Sequence, residues 1–318
     1  MNIRRFARLA LIGIAAALQF GGGAAAQSFP SKPINFIVPY APGGISDILG
    51  RAVSASLEEQ FGQPVVVINK PSPGIVLGLT EIATAQPDGY TIGIWANSAI
   101  TFPLVTGQST PYDGVESFTF LRSYGSGVLG VVVGADSPFK TFKELLDAGK
   151  ASPGKYKYGS VGVNSGQHRV LEAAAKVHGA KFIHIAQKGT AAGVANVLGG
   201  HLDFLSDASS WAPNVRQGQM RVLVLTGDKR NPYFPDVPIY KEFGVQEDYS
   251  GRLAVVGPAK LPPAIKDKLE TALDKAFHSD KVKEAVANIG QPIESMPSDV
   301  MRQAAIDSRI LWKKLLAE

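Results

Sequence analysis

"VPYAPGGISDILGR", residues 38–51, is the stretch on which the fold turns. An apolar run ends at Val38, Pro39 and Pro42 fix φ, Gly43 and Gly44 permit a tight reversal, and Asp47 falls in the first turn of a helical pattern. Ile45, Ile48, Leu49, Ala52, Val53, Leu57 and Phe61 recur at intervals of three and four, giving one apolar stripe to lay on a sheet, and Gly62 stops the helix. Main-chain N–H groups at such a strand-to-helix corner lack helical partners and lie at the positive end of the helix dipole, so the corner suits a carboxylate or another small anion. Tyr40, Ala41, Pro42, Gly43, Gly44 and Asp47 are its candidate site residues. A plain turn in which Asp47 only stabilises the helix start is the competing reading.

Outward from this corner the same alternation continues. Strands are expected at "INFIV" (34–38), "PVVVIN" (64–69) and "TIGIW" (91–95). The pattern restarts at "VLGVVVG" (128–134), "KYKYGS" (155–160), "FIHIA" (182–186), "LDFLSD" (202–207) and "RVLVLT" (221–226), with helices near 141–149, 165–178 and 190–199. A strand at "LAVVGP" (253–258) and three closing helices complete the chain. Such alternation predicts an α/β protein with two mostly parallel sheets covered by helices. Met301, Ala304, Ala305, Ile310, Leu311, Leu315 and Leu316 form the stripe expected to pack the last helix on one domain. The expected plan is residues 27–127 for the first part of domain 1, 128–240 for domain 2, and 241–318 for the return to domain 1.

Ligands of open α/β sheets bind beyond the carboxyl ends of the strands. "YGSVGVNSGQHRVLE" (158–172) makes a second corner there, with Ser160, Gly162, Asn164, Ser165 and His168 as candidates, and with Ser165 or Asn164 capping a helix. Trp95 with Asn97 and Ser98, and Trp211 with Ser209 and Ser210, follow strand ends, where aromatic plates beside polar groups line a pocket or else pack a core. Gln187 and Asp207 close two further strands beside this edge.

Other chemistries find little support. His168 and Glu172 lie four apart but have no third metal ligand in the pattern. "GSGVLG" (125–130) satisfies G-x-G-x-x-G yet opens a strand instead of a helix, and marks a crossover between domains. No G-x-S-x-G occurs, and "QKGT" (187–190) lacks the upstream glycine of a phosphate loop, so no cofactor is expected. Ser165 with His168, three apart, is the basis of a rival reading as an exported hydrolase.

Arg4, Arg5 and Arg8, an apolar run from Leu9 to Phe20 and Ala24–Ala26 read as a secretory signal peptide (1–26) cleaved after Ala26. Its removal takes three arginines and no acid, lowering the formal charge from +5 to +2, so the basic balance is no argument for nucleic acid. With 45% hydrophobic residues, 19% charged residues and no cysteine, a soluble exported protein that relies on its core is expected.

At this point the chain resembles a known family, the substrate-binding (Bug) proteins of tripartite tricarboxylate transporters. The resemblance runs in order through "FPSKPINFIVPYAPGGISD" (29–47), "FGQPVVVINKPSPG" (61–74), "AQPDGYTIGI" (85–94), "KGTAAGVANVLGGHLDF" (188–204) and "GPAKLPPAIKDKL" (257–269). It implies a type II periplasmic-binding-protein fold, two α/β domains around a ligand cleft, with no catalysis. It also implies that the two corners hold a ligand carboxylate through main-chain amides and waters, and that inner-membrane transporter subunits are the partners of a monomeric periplasmic receptor. Asn164 stands where the family usually has Gly, and Arg169 where it usually has Leu. Gln187, Asn97, Ser98 or Arg169 are the candidates for a second carboxylate, with solvation on the outer helix face as the favoured alternative for Arg169, and Trp95 and Trp211 are the candidates for an aromatic spacer such as that of terephthalate.

Overall fold

The computed structural model describes residues 29–246, 249 and 251–316, so the signal-peptide reading lies outside the described residues. The chain lays down β1 (Ile34–Val38), α1 (Ile45–Phe61), β2 (Val65–Asn69), α2 (Val76–Thr84), β3 (Thr91–Ala96), α3 (Ser98–Thr106) and β4 (Phe118–Ser126). It crosses into β5 (Leu129–Gly134), α4 (Phe142–Ala151), β6 (Lys157–Ser160), α5 (Gly166–His178), β7 (Ile183–Ala186), α6 (Thr190–Leu198), β8 (Phe204–Ala208), α7 (Ala212–Arg216) and β9 (Met220–Leu225). It then returns as β10 (Arg252–Pro258), α8 (Pro263–Phe277), α9 (Asp280–Ile289) and α10 (Ser298–Leu315).

Two five-stranded sheets result, ordered β2-β1-β3-β10-β4 and β7-β6-β8-β5-β9. In the first, β1 pairs in parallel with β2 and β3, while β10 runs antiparallel to β3 and β4. In the second, β6 is parallel to β7 and β8, and β5 is antiparallel to β8 and β9. The sheets are therefore mixed, with one reversed strand in each, and in both cases it is the strand that enters from the other lobe. A strand arriving at the interlobe edge can only run away from it. All the other strands finish at that edge, which brings the strand-to-helix corners that follow β1, β2, β3, β6, β7 and β8 to one gap, while those after β5 and β10 lie at the far edges.

Burial follows the sequence pattern. Ile34, Phe36, Ile37 and Val38 are fully buried because helices cover both faces of the first sheet. Leu49, Val53 and Leu57 of α1 pack on it, and Gly62, at φ 62°, ends the helix by donating its N–H to Glu58 O (2.9 Å). β4 escapes the sequence reading because polar residues interrupt its apolar run: Arg122 pairs with Asp274, and Ser123 Oγ donates to Leu253 O (2.9 Å).

The last helix departs from expectation. Met301 and Ala305 are buried in the first lobe's core, but Ile310 is 63% exposed, and Trp312, 4% exposed, enters the core of the second lobe. The stripe thus turns partway along α10, and the helix spans both lobes instead of serving one. Leu104 of α3 also packs against both cores.

The crossover itself is pinned by side chains. Gln291, fully buried, donates Nε2 to Ser126 O (2.7 Å) and accepts from Val128 N (2.9 Å). Val128 O accepts from Ser209 N (3.1 Å), and Gly127 N donates to Gly251 O (2.7 Å), which ties together the two segments that pass between the lobes.

Candidate functional site

The first corner is built by a buried carboxylate. Gly43 takes φ 83°, a left-handed conformation that favours glycine, and Gly44 caps α1 with no side-chain acceptor. Asp47, 4% exposed, accepts from Gly43 N (2.9 Å) and Arg51 Nε (3.1 Å) on Oδ2, and from Asn69 Nδ2 (2.9 Å) on Oδ1. Arg51 Nη2 also reaches Oδ1 at 2.9 Å. Burial opposes ionisation, yet the hydrogen bonds from Arg51, Gly43 and Asn69 outweigh it and hold this carboxyl below its ordinary range. Asn69 Nδ2 also donates to Tyr40 O (3.1 Å), so one amide fastens both ends of the turn. Asp47 therefore shapes the corner and has no oxygen left for a guest.

This lock takes Gly43 N–H out of use but leaves others. Among the described residues no protein group accepts from the main-chain N–H of Gly44, Ile45 or Ser46. Ala41, Pro42 and Gly43 are exposed, which keeps the corner open to solvent. Burial of the Tyr40 hydroxyl beside Ser98 pushes it up to about 12, so it is a neutral donor at any physiological pH.

The second corner is self-capped. β6 ends at Ser160, Gly162 adopts φ 153°, and Asn164 sits at φ 62°, where glycine is at ease and asparagine is tolerated. Ser165 Oγ accepts from His168 N (3.2 Å) and donates to Gly162 O (2.8 Å). Free of protein acceptors among the described residues are the N–H groups of Val163, Asn164 and Gly166.

His168 turns its ring away from that task. It stacks beside Tyr158 (6.3 Å) and lies tilted against His184 (4.5 Å), its Nδ1 is buried without a partner among the described residues, and burial together with His184 and Arg169 pulls it down to about 4. Ser165 meets its main-chain N–H and not its imidazole, so the Ser–His pair of the hydrolase reading is not assembled. Glu172 Oε1 accepts from Tyr158 OH (2.7 Å), and Ser160 Oγ shares a hydrogen bond with His184 Nε2 (2.8 Å).

Several expected contacts are placed elsewhere. Trp95 is fully buried, edge-on to Phe120, and its Nε1 donates to Gly114 O (2.8 Å); Trp211 is fully buried and donates to Asp207 O (3.2 Å). Both indoles are core residues and offer no face to a ligand, so the aromatic-plate expectation is corrected. Gln187 is occupied, donating to Ile185 O (3.0 Å) and accepting from Asn196 Nδ2 (2.7 Å). Asn97 Nδ2 donates to Ser308 Oγ (2.7 Å), while Ser98 remains part-exposed beside Tyr40.

Asp207 is fully buried at the end of β8. Its Oδ1 accepts from Ala208 N (2.7 Å) and Gln167 Nε2 (3.4 Å), while Oδ2 has Thr190 nearby but no hydrogen bond of good geometry. Burial pushes its carboxyl up to about 6 despite those donors.

Arg51 and Asn69 were missed by sequence reasoning. The i, i+4 spacing of Asp47 and Arg51 was the available signal for the first; nothing local points to Asn69 or His184. A cavity of about 260 Å³ lies at the crossover, lined by Gly127, Val170, Thr226, Tyr240 and Tyr249, apart from the two corners.

Comparison with known proteins fits this arrangement. The sequence profile of the tripartite tricarboxylate transporter family receptor matches residues 49–318, beginning just after the first corner. The chain belongs to this family. A Cupriavidus necator protein in the gbd 5′ region is 35% identical over 97% of this chain and 95% of its own length. Protein BugT of Bordetella pertussis is 30% identical over 100% of this chain and 98% of its own. The structure of periplasmic binding protein BugD superposes with a TM-score of 0.80 at 25% identity, covering 91% of this chain and 98% of that one. The fold is thus the type II periplasmic-binding-protein fold, and this receptor is a solute-binding protein of the Bug group and not an enzyme. No helix among the described residues is long and apolar enough to cross a membrane.

Proposed function

We propose that this receptor captures a small carboxylate, by preference a dicarboxylate, between its two corners and presents it to the membrane subunits of a tripartite tricarboxylate transporter. One observation supports the reading: both lobes end a strand at the shared gap in a glycine-bearing turn that leaves three main-chain N–H groups without a protein acceptor among the described residues, Gly44, Ile45 and Ser46 in the first and Val163, Asn164 and Gly166 in the second. Such donors, with two helix dipoles behind them, form charge-assisted hydrogen bonds to a carboxylate, and these strengthen when closure excludes water. The spacer is read as aliphatic, because both indoles are buried while Val161 and Val163 of the second corner are 42% and 68% exposed. Export through a signal peptide cleaved after Ala26, and work as a monomer in the periplasm, complete the proposal.

The test is a thermal-shift screen of the mature protein against succinate, malate, adipate, terephthalate and matched monocarboxylates. A guest that binds only the folded state raises Tm with concentration. If every acid leaves Tm unchanged at millimolar concentration, the reading fails. Exported protein whose first residue is Gln27 would establish the processing.

A further inference from the structure

Among the described residues Arg169 is an arginine without an acceptor. Arg51, Arg122, Arg230, Arg302 and Arg309 each grip a carboxylate, and Arg216 and Arg221 hold main-chain carbonyls. Among the described residues no oxygen accepts from the Arg169 guanidinium, although its Nε is buried. Its position makes the imbalance worse: it stands near the start of α5, where the helix dipole disfavours a cation and the first turn holds no acidic side chain, and Glu172, three residues on, is engaged by Tyr158 OH. Dipole, burial and the missing partner all point to an anion that arrives from outside.

The last helix fixes where that anion would sit. The Arg169 guanidinium carbon lies 5.7 Å from the Trp312 ring, and Trp312 itself is held edge-on by Tyr249. One helical turn earlier, on the same face of α10, Ser308 Oγ accepts from Asn97 at the end of β3. Asn97 belongs to the first lobe and Arg169 to the second, so α10 places them on neighbouring turns across the interlobe gap. Arg169 is therefore at the junction of the lobes and not solvated on an outer face.

We infer that Arg169 binds the second carboxylate of the ligand, with Trp312 as its positioning residue, so that this receptor selects dicarboxylates over monocarboxylates of equal length. The inference rests on the carboxylate-receptor reading and names the distal end of that same site. A planar guanidinium matches a carboxylate with two parallel N–H···O bonds, a geometry that neither Lys nor Gln reproduces.

Calorimetric titration of the mature protein with adipate against hexanoate, and with succinate against butyrate, tests it. Wild type is expected to bind the diacid of one pair at least 30-fold more tightly than its monoacid. Arg169→Gln should abolish that preference, cutting diacid affinity by a similar factor while changing monoacid affinity less than threefold. Trp312→Phe should reduce the diacid preference partially, a change in ratio that a merely structural role would not produce. Should Arg169→Gln fail to fold, the salt dependence of wild-type binding replaces it, with diacid affinity falling more steeply than monoacid affinity as ionic strength rises. Unchanged diacid binding by Arg169→Gln, an equal loss for both acids, or equal salt slopes would overturn the inference while leaving the receptor reading in place. A wild-type protein that takes none of the four acids overturns the receptor reading itself.

Discussion

The two corners occupy equivalent positions in their sheets and are built on opposite principles. The first has no side-chain cap on its helix, and its buried Asp47 is tied to Arg51, Asn69 and Gly43 so firmly that the turn is rigid before any guest arrives. The second caps itself through Ser165 and leaves its buried acid, Asp207, with one oxygen unsatisfied. A rigid corner with free donors is a ready-made cradle, whereas a capped corner already satisfies part of its own dipole. The first lobe should therefore supply most of the grip on the proximal carboxylate, and the second should add to it on closure.

The largest expected break of this contrast is Asp47→Ala. It strands Arg51, Asn69 and Gly43 N–H together, costing about 2–3 kcal/mol of stability, and it loosens the turn so that carboxylate binding falls at least tenfold. Chemical denaturation and titration on the same variant would check both effects. Binding that survives intact would show that the turn holds its shape without the lock.

Asp207→Asn probes the other lobe, and the sign of its effect follows from the direction of the shift. The folded state keeps the proton up to about pH 6, whereas the unfolded chain releases it near 3.8, so ionisation counts against the wild type as pH rises through this window and at all higher pH. The variant should match wild type near pH 4 and be more stable by up to about 2–3 kcal/mol at pH 8. Melting curves at the two pH values decide it, and an equal difference at both would show that burial does not perturb this acid.

A smaller effect is expected from Trp95→Phe, which loses the bond to Gly114 O and some buried area for about 1–2 kcal/mol. Its ligand affinity should be unchanged, because the indole reaches no guest. An affinity loss without a stability loss would return Trp95 to the site. The smallest is Ser165→Ala, which removes a helix cap worth about 1 kcal/mol and uncaps the second corner to resemble the first. Its carboxylate affinity should hold or rise slightly, and a pronounced drop would mean that the hydroxyl itself contacts the guest.

Much of this was legible in the chain. Alternation of short β-branched runs with stripes spaced three and four gave the α/β class, and Pro-Gly-Gly gave the first corner, because these are local signals of φ/ψ and periodicity. What was hidden depends on partners distant in sequence. Asp47 reads as a simple first-turn acid until Asn69, 22 residues away, is seen to hold it. Trp95 and Trp211 carry no local mark that distinguishes a core plate from a pocket wall. β4 was masked by Arg122 and Ser123, whose partners come from α8 and β10. The break in the α10 stripe was invisible because the helix changes which lobe it faces, and no single period describes two surfaces.

The side-chain amide of Gln291 has a mechanical corollary. It grips Ser126 O and Val128 N, while Ser209 takes Val128 O for the second lobe, and its neighbour Gly290 accepts from Asn231 of that lobe, so the crossing strand is held from both sides at one point. Between Ser126 and Leu129 the crossing backbone has each of these main-chain groups tied to a partner from elsewhere in the chain, which leaves it little freedom to slide. The strand is then a fastened crossing and not a slack tether, which fixes how the two sheets are joined at this point.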